Sequence, residues 1–281
     1  MATRREILLK ISEAIKELYG EVEARQIAEI VVTECGGIGR NELLVEPYKE
    51  LEIKDIDRII RELCEWRPVQ YVIGRAEFYG LDFEVAEGVL IPRPETEELV
   101  EWIALESSSD ARILDVGTGS GCIAISLRRC LKNSRVWALD ISDKALAIVR
   151  RNSLKYAPDV EFIEGDALAD FSTLVSEKLD VVVSNPPYIP RSDESSMRRN
   201  VTDYEPDTAL FVEDSDPLIF YRSIARTARR MLKPQGKLYF EIYELYAGEM
   251  RAMLEAEGYT DIVVREDFRG KERMVCATMV S

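Results

Sequence analysis

The 281-residue chain contains no histidine. Catalytic triads that use a histidine base and metal sites built on imidazole are therefore excluded. The five cysteines are scattered and form no C-x-x-C pair. This usage predicts small core residues in a reducing compartment, rather than disulfides or zinc ligands. We accordingly expect a protein without a metal centre.

Long apolar segments are also missing. No run approaches the ~20 consecutive apolar residues that span a bilayer, and residues 1–10 lead into an amphipathic helical pattern instead of a signal peptide. These two absences predict a cytoplasmic protein without a membrane partner. Since 46% of the residues are hydrophobic, the chain still has enough apolar side chains for a sizeable core.

Positive charge is scarce relative to negative charge. Lys and Arg number 37 against 52 Asp and Glu, so the formal net charge is −15 and the pI is about 4.7. Nucleic-acid binding depends on the neutralisation of phosphates by Lys and Arg, so this balance argues against nucleic acid as a partner. A local basic patch stays open, with Arg191, Arg198 and Arg199 as candidates, although such arginines more often lie in a solvated loop.

Residues 1–75 have the pattern of a small helical bundle. Thr3 and Glu6 have the spacing of a capping box, and the apolar residues that follow, beginning with Ile7 and Ile11, recur at helical intervals. Such a bundle is either a DNA-binding unit or a protein-recognition unit. Acidic residues outnumber basic ones here, 15 to 12, so we favour recognition of a protein.

The remaining chain predicts an α/β domain over residues 92–281, connected to the bundle by a β-hairpin at 76–91. Alternating strands and helices imply a parallel sheet with right-handed crossovers. Strands are predicted at 112–116, 135–139, 160–164, 179–184 and 236–242, and helices at 121–131, 143–153, 216–232 and 246–257. Two further strands, 261–265 and 274–278, predict an antiparallel hairpin that closes the sheet.

A glycine-rich loop follows the first of these strands. Residues 117–121 read G-T-G-S-G, where the glycines permit a sharp turn and the close approach of a ligand. Asp140 ends the next strand, where a carboxylate can accept both hydroxyls of a ribose, and Asp166 follows the third strand within reach of a purine edge. Each aspartate also has an interpretation as a loop or helix-cap residue. Because no G-K-[ST] motif follows the loop, we predict a nucleoside ligand without a polyphosphate, and S-adenosylmethionine fits that description.

A rigid polar segment follows the fourth strand. Residues 185–188 read N-P-P-Y, and the two prolines stop the strand because neither can donate to the ladder. Asn185 then lies at the carboxyl end of a buried parallel strand, where open α/β sheets bind ligands. The alternative is an ordinary strand end with an asparagine turn.

Together these motifs resemble a known family. The G-T-G-S-G loop with Asp140 is similar to that of class I S-adenosylmethionine-dependent methyltransferases, and N-P-P-Y narrows the resemblance to enzymes that methylate a planar amide or exocyclic amine nitrogen. Three further segments, I-P-R-P-E-T-E at 91–97, Y-E-P-D-T-A-L at 204–210 and D-F-R-G-K-E-R at 267–273, resemble the PrmC/HemK family of release factor glutamine methyltransferases. The resemblance covers nearly the whole chain and is weaker in the amino-terminal helices.

The resemblance implies a fold, a reaction and a set of site residues. The fold is a seven-stranded methyltransferase sheet with a small amino-terminal helical domain for substrate recognition. The reaction is methyl transfer from S-adenosyl-L-methionine to N5 of the glutamine in the Gly-Gly-Gln motif of class I peptide chain release factors. The implied cofactor-binding residues are Gly117, Thr118, Gly119, Ser120, Gly121, Asp140, Asp166, Ala167 and Asn185. The implied substrate-binding residues are Arg93, Asn185, Pro186, Pro187 and Tyr188, of which Asn185, Pro186 and Tyr188 are catalytic.

The N-P-P-Y residues also predict how an amide can be methylated. A carboxamide nitrogen is a poor nucleophile because its lone pair is delocalised into the carbonyl. The side-chain oxygen of Asn185 and the backbone carbonyl of Pro186 can accept its two N–H groups, while Tyr188 covers its plane. One departure from the family pattern is Tyr243, which stands where many relatives have glycine.

Two alternatives stay open at this point. An adenine-N6 nucleic-acid methyltransferase would act on the same kind of planar NH2 group, but it needs a flipped base and a surface that binds the nucleic-acid backbone. A non-catalytic cofactor-binding scaffold is the other alternative, and the intact N-P-P-Y segment beside an intact glycine loop argues against it. We expect a release factor methyltransferase that acts as a monomer.

Overall fold

The computed structural model describes residues 2–280, which form two compact units. The first unit contains the chain up to Arg75 together with Arg198–Tyr204, and the second contains Ala76–Met197 and the chain from Glu205 onward.

The helices are α1 (Arg4–Tyr19), α2 (Glu21–Gly36), α3 (Arg40–Val45), α4 (Ile56–Cys64), α5 (Val69–Ile73), α6 (Pro94–Glu106), α7 (Cys122–Cys130), α8 (Asp143–Tyr156), α9 (Arg199–Thr202), α10 (Asp207–Leu210), α11 (Ile219–Met231) and α12 (Ala247–Ala256). The strands are β1 (Ala2–Thr3), β2 (Glu50–Leu51), β3 (Arg75–Phe78), β4 (Leu81–Glu84), β5 (Arg112–Val116), β6 (Arg135–Asp140), β7 (Glu161–Glu164), β8 (Leu179–Ser184), β9 (Ile189–Pro190), β10 (Phe211–Val212), β11 (Leu232–Glu241), β12 (Tyr259–Glu266) and β13 (Glu272–Met279). Within residues 2–280, none of these helices is long and apolar enough to cross a bilayer.

The first unit is a helical bundle with its own apolar core. The predicted capping box begins α1, since the Thr3 hydroxyl accepts from the Glu6 N–H and the Glu6 carboxylate accepts from the Thr3 N–H at 2.8 Å. Apolar side chains from α1, α2, α4 and α5 meet in the core. The segment 198–204 packs with this unit, where Tyr204 donates its hydroxyl to the Glu65 carbonyl at 2.7 Å.

A seven-stranded sheet is the centre of the second unit. Its strand order is β12-β13-β11-β8-β5-β6-β7, and β13 runs antiparallel to both of its neighbours while the other pairs are parallel. This arrangement confirms the predicted α/β sheet, including its closing antiparallel hairpin of β12 and β13. The predicted strands agree with the observed ones to within a few residues.

Helices cover both faces of this sheet because its strands present apolar side chains to both sides. In β8, Val181 and Val183 pack with residues of α6, α7 and α8, whereas Val182 packs with residues of α11 and α12. A strand that is buried on both faces appears in the sequence as a continuous apolar run, as β8 does. The hairpin of β3 and β4 adds Phe78 and Phe83 to the first of these two layers.

β11 begins earlier than predicted, and its pairing with β8 is interrupted. Leu232 pairs with Leu179, but regular pairing resumes only at Lys237. Pro234 has no N–H to donate, and Gln235 has a φ of 65°, a left-handed conformation that does not continue a ladder. The strand therefore contains a bulge, and the sequence predicted only the part of the strand that follows it.

The register of the sheet aligns the carboxyl ends of β5, β8 and β11. Val116 of β5 and Phe240 of β11 both pair with Ser184 of β8. The next residues along these strands are the first glycine of the loop, Glu241 and Asn185. Because the three strands are parallel and adjacent, these residues meet at one edge of the sheet.

Candidate functional site

A cleft opens at this carboxyl edge of the sheet, within the second unit. Its empty space, open mouth included, is about 1010 Å³. The predicted site residues that line it are Arg93, Gly117, Thr118, Gly119, Ser120, Asp140, Asp166, Ala167, Asn185, Pro186 and Pro187. The lining does not include Gly121 or Tyr188. The fold thus gathers most of the predicted residues, from several separate segments, into one cleft.

The glycine loop forms one end of the cleft, which we call the cofactor end (residues 117–121 with Asp140). Gly117 and Gly119 have φ values of 74° and 57°, a region that favours glycine. A Cβ atom added at either position would meet nothing within 4 Å, so the backbone here is open to a ligand. The loop is fixed from behind, since the Gly119 N–H donates to Asp140 Oδ2 at 2.9 Å.

Gly121 serves the packing of the helix that follows the loop. Its φ is 83°, and an added Cβ would lie 2.2 Å from Cγ2 of Val149 in α8. A side chain at this position would therefore force α7 and α8 apart. The structure explains this glycine by close helix packing, whereas the first two glycines face the cleft.

Asp140 lies between the loop and the helix that follows β6. Its Oδ1 accepts from the Ser142 N–H and its Oδ2 from the Gly119 N–H, both at 2.9 Å. Burial raises the pKa of Asp140, and these N–H bonds act in the opposite direction. A carboxylate oxygen has more than one lone pair, so Asp140 retains acceptor capacity toward the cleft.

Asp115 lies beneath the loop and is a residue that sequence reasoning missed. It is fully buried, and its Oδ2 accepts from the Thr118 hydroxyl at 2.6 Å and from the Ala124 N–H at 3.3 Å. No described residue donates to its Oδ1. Burial raises the pKa of Asp115 to about 7. A carboxyl group in the middle of an apolar strand was the available signal, because such a group is rarely buried without a reason.

The opposite end of the cleft is formed by residues 185–188, and we call it the substrate end. Asn185 donates from Nδ2 to Thr96 Oγ1 at 3.4 Å, and the Thr96 hydroxyl donates to Glu241 Oε2 at 2.5 Å. Tyr188 donates its hydroxyl to the other oxygen, Glu241 Oε1, at 3.2 Å. A buried network of side chains from three elements therefore holds the N-P-P-Y segment.

Tyr188 belongs to this network and does not line the cleft. Its ring is nearly parallel to that of Tyr243, with an interplanar angle of 19° and centroids 6.0 Å apart. Tyr243 in turn donates its hydroxyl to Asp193 Oδ2 at 2.7 Å. The tyrosine that departs from the family pattern thus connects the N-P-P-Y segment with the short 3-10 helix Arg191–Ser196.

Arg93 is held at the cleft by a buried carboxylate. Its Nη2 donates to Glu205 Oε1 at 2.7 Å, and Glu205 Oε2 accepts from the Ile91 N–H at 3.0 Å. The Glu205 side chain is only 1% exposed. Two of the sequence motifs, at 91–97 and 204–210, therefore fit together at this point. Neither the pairing nor the role of Glu205 could be predicted from spacing, since the two residues are far apart in the chain.

The candidate basic patch is internally neutralised. Arg191 donates to Asp207 at 3.0 Å. Arg199 pairs with Asp203 at 2.9 Å within the first unit. Arg198 likewise pairs with a carboxylate of that unit, Glu23. Arginines already matched by carboxylates offer little attraction to phosphates, which weighs against the nucleic-acid alternative.

Known proteins are similar to this chain over most of its length. A family model described as a methyltransferase domain matches residues 107–268. A release factor glutamine methyltransferase of Bacteroides thetaiotaomicron is 41% identical, covering 95% of this chain and 97% of that protein. Proteins of the same name from Flavobacterium psychrophilum and Lactococcus lactis are 40% and 38% identical, each over 94% of this chain.

A solved structure supports the fold independently. A methyltransferase from Pyrococcus furiosus superposes with a TM-score of 0.55, covering 73% of this chain and 91% of that one at 16% identity. At that identity the likeness concerns the fold alone. It confirms the predicted class I methyltransferase architecture of the second unit.

Proposed function

The chain belongs to the release factor glutamine methyltransferases, and on that membership we propose that it methylates the side-chain N5 of the glutamine in the Gly-Gly-Gln motif of class I peptide chain release factors. The aligned relatives extend over more than nine-tenths of both chains, so the comparison includes both ends of the cleft. We further propose that it acts as a monomer in the cytoplasm, where a modifier of a translation factor would meet its substrate.

The observation that carries the proposal is the orientation of Asn185 at the cleft. Its amide nitrogen is engaged with Thr96, which leaves the amide oxygen as an acceptor for a substrate N–H. We assign the second acceptor to the backbone carbonyl of Pro186, which also lines the cleft. Two acceptors suit a planar NH2 group, which is what a glutamine side chain presents.

The residues of the cofactor end fit S-adenosyl-L-methionine, which we propose as the methyl donor. The open backbone at Gly117 and Gly119 admits a ligand closely, Asp140 has acceptor capacity for a ribose, and the buried Oδ1 of Asp115 has no partner among residues 2–280. We place the adenine near Asp166, which lines the same cleft. When bound, this cofactor supplies a methyl group on a positively charged sulfur, and S-adenosyl-L-homocysteine is the product.

The role of this chain in the reaction is to orient the substrate amide and to make its nitrogen more nucleophilic. Acceptors at Asn185 and Pro186 increase the electron density on the nitrogen and fix the direction of its lone pair. The two prolines of the N-P-P-Y segment keep the acceptors from relaxing, so positioning provides much of the rate enhancement. A methylated nitrogen that still carries both original protons is acidic and loses one to water, so no base residue is required before attack. Tyr188 does not line the cleft; we propose that, with its hydroxyl fixed on Glu241, it supports the N-P-P-Y segment that borders the amide.

We assign the first unit to recognition of the release factor. A groove in this bundle is lined by Leu8, Leu9, Leu43 and Leu44 together with charged side chains. Leu9 and Leu44 are both exposed, at 46% and 65%. Exposed apolar side chains rimmed by charges are typical of surfaces that bind proteins.

Methyl-labelled cofactor tests the proposed function directly. The purified enzyme is incubated with a class I release factor, with the same factor carrying Ala in place of the motif glutamine, and with DNA and RNA oligonucleotides. We expect label in the intact release factor only, and mass spectrometry of the labelled peptide should place a single methyl group on the glutamine side chain. Label in the Ala-substituted factor or in an oligonucleotide would contradict the proposal.

A further inference from the structure

A buried carboxylate lies directly behind the substrate end of the cleft. Glu241 ends β11 and is 1% exposed. Its two oxygens accept from two different hydroxyls, those of Thr96 at 2.5 Å and Tyr188 at 3.2 Å. Burial raises the pKa of Glu241, while the Thr96 hydrogen bond and the charge of Arg273 favour its ionised form. This side chain does not line the cleft, so any effect on the reaction must pass through its neighbours.

The direction of each hydrogen bond in this network follows from counting protons. Both oxygens of Glu241 act as acceptors, one from Thr96 and one from Tyr188, so the single hydroxyl proton of Thr96 points to Glu241. The O···O distance of 2.5 Å is typical of such a charge-assisted bond. Toward Asn185, the Thr96 hydroxyl can then act only as a hydrogen-bond acceptor. The group of Asn185 that faces Thr96 must therefore be its NH2, as the 3.4 Å Nδ2···Oγ1 contact has it.

We propose that Glu241, acting through Thr96, is the positioning residue that presents the oxygen of Asn185 to the substrate as a hydrogen-bond acceptor. The inference rests on the proposed function, because an acceptor is useful only if the substrate group carries N–H bonds. An asparagine amide has nearly the same shape in its two flipped orientations. We call the chain of hydrogen bonds from Asn185 through Thr96 to Glu241 the relay. Without it, Asn185 could flip and point its NH2 group, a donor, at the NH2 group of the substrate, which is also a donor.

The same relay sets specificity for the substrate group. A side-chain amide has two N–H bonds to give to the Asn185 oxygen and its partner acceptor, whereas a carboxylate has none. A glutamate in place of the substrate glutamine would face acceptors only and would be repelled. The relay therefore selects a carboxamide over a carboxylate of almost identical size.

Three variants test the relay at constant shape. Glu241→Gln keeps the size of the side chain but offers Thr96 a donor, Thr96→Val removes the hydroxyl, and Thr96→Ser retains it. We expect Glu241→Gln and Thr96→Val each to lower kcat by about 10- to 100-fold. This is the range typical for metal sites when a residue that orients a metal-binding side chain by a hydrogen bond is removed. KM for the release factor should change little, since a protein substrate binds mainly elsewhere. Thr96→Ser should remain close to wild type.

The double variant decides whether Glu241 acts through Thr96. In the Thr96→Val background the relay is already broken, so adding Glu241→Gln should lower kcat no further. If Glu241→Gln costs the same factor in both backgrounds, the two residues act independently and the proposal is wrong. The thermal unfolding temperature and the cofactor affinity of each variant serve as controls. A general loss of structure would lower both, whereas loss of the relay alone should leave both unchanged.

A readout that needs no turnover separates this inference from the proposed function. The side-chain NH2 resonances of Asn185 can be assigned in the folded protein by their loss in Asn185→Asp. We expect Glu241→Gln to shift both resonances and to speed their exchange with solvent. Unchanged resonances would overturn the relay even if the enzyme methylates release factor. Shifted resonances in a protein that does not label release factor would instead refute the proposed function and leave the relay standing.

Discussion

The two ends of the cleft are held in place by different kinds of interaction. At the cofactor end, Gly117 and Gly119 shape the backbone, and a neighbouring strand end supplies the carboxylate that anchors the loop. At the substrate end, Asn185 reaches Thr96 in α6, and Thr96 reaches Glu241 at the end of β11. The first arrangement is built from backbone conformation, and the second from side chains that are distant in sequence.

This difference predicts different consequences for substitution. Backbone conformation at the cofactor end is coupled to helix packing, so changes there should alter stability or ligand affinity. In our proposal, side chains at the substrate end orient one functional group, so changes there should alter turnover while the fold is kept. Each prediction below is a way to break or to sharpen this contrast.

The largest effect is expected at Asn185. Asn185→Ala should lower kcat for release factor methylation by about 100- to 1000-fold, the range for removal of one preorganised hydrogen-bonding group. Cofactor affinity by calorimetry should stay close to that of the wild type. Equal losses of turnover and cofactor affinity would mean that the two ends are not separable.

Asp140→Ala is the matched change at the cofactor end. Because Asp140 fixes the loop and retains acceptor capacity toward the cleft, we expect its loss chiefly to weaken cofactor binding. Saturating cofactor should therefore restore much of the turnover. An unchanged affinity would contradict the proposed ribose contact.

Gly121→Ala should produce the largest loss of stability. The added Cβ would lie 2.2 Å from Val149 in a left-handed backbone conformation, and overpacking together with backbone strain costs roughly 2–4 kcal/mol. Gly119→Ala is the control, because its Cβ would meet nothing within 4 Å and only the backbone term, about 1 kcal/mol, applies. Urea unfolding of both variants measures the difference, and equal losses would refute the packing explanation.

Asp115→Asn should change how stability depends on pH. Burial raises the pKa of folded Asp115 to about 7, above its ordinary value of 3.8, so the folded state favours the protonated form. The stability this provides is present at low pH and is lost as pH rises through 7. Between pH 5 and pH 8 the wild type should thus lose about 2 kcal/mol relative to the variant, since each pKa unit corresponds to about 1.4 kcal/mol. Parallel stability curves across this range would contradict the assignment.

The smallest effect is expected at Tyr243. Tyr243→Phe removes the hydrogen bond to Asp193 but keeps the ring against Tyr188, so it should lower stability by about 1 kcal/mol or less. Asp193 raises the pKa of Tyr243 to about 12, so the hydroxyl stays protonated at neutral pH and the effect should not vary between pH 6 and 8. A large loss of turnover in this variant would show that the 3-10 helix Arg191–Ser196 helps to form the substrate end.

Much of the fold and of the cofactor end could be predicted because their signals are local. The apolar run of β8 and the glycines of the loop are each specified within a few consecutive residues. Parallel pairing then places successive strand ends at one edge without further information. Gly121 shows the limit of this reasoning, since the same motif that predicts a ligand contact contains a glycine required by helix packing.

The substrate end was predictable only in part. The sequence by itself determined that a rigid asparagine would follow a buried strand, because the N-P-P-Y residues are consecutive and proline restricts its own backbone. Only the tertiary structure decided which way Asn185 faces, where Tyr188 packs and which buried carboxylate holds them both. The reason is that hydrogen bonds between residues on different elements leave no periodicity in the sequence, and their partners are chosen when the strands and helices come together.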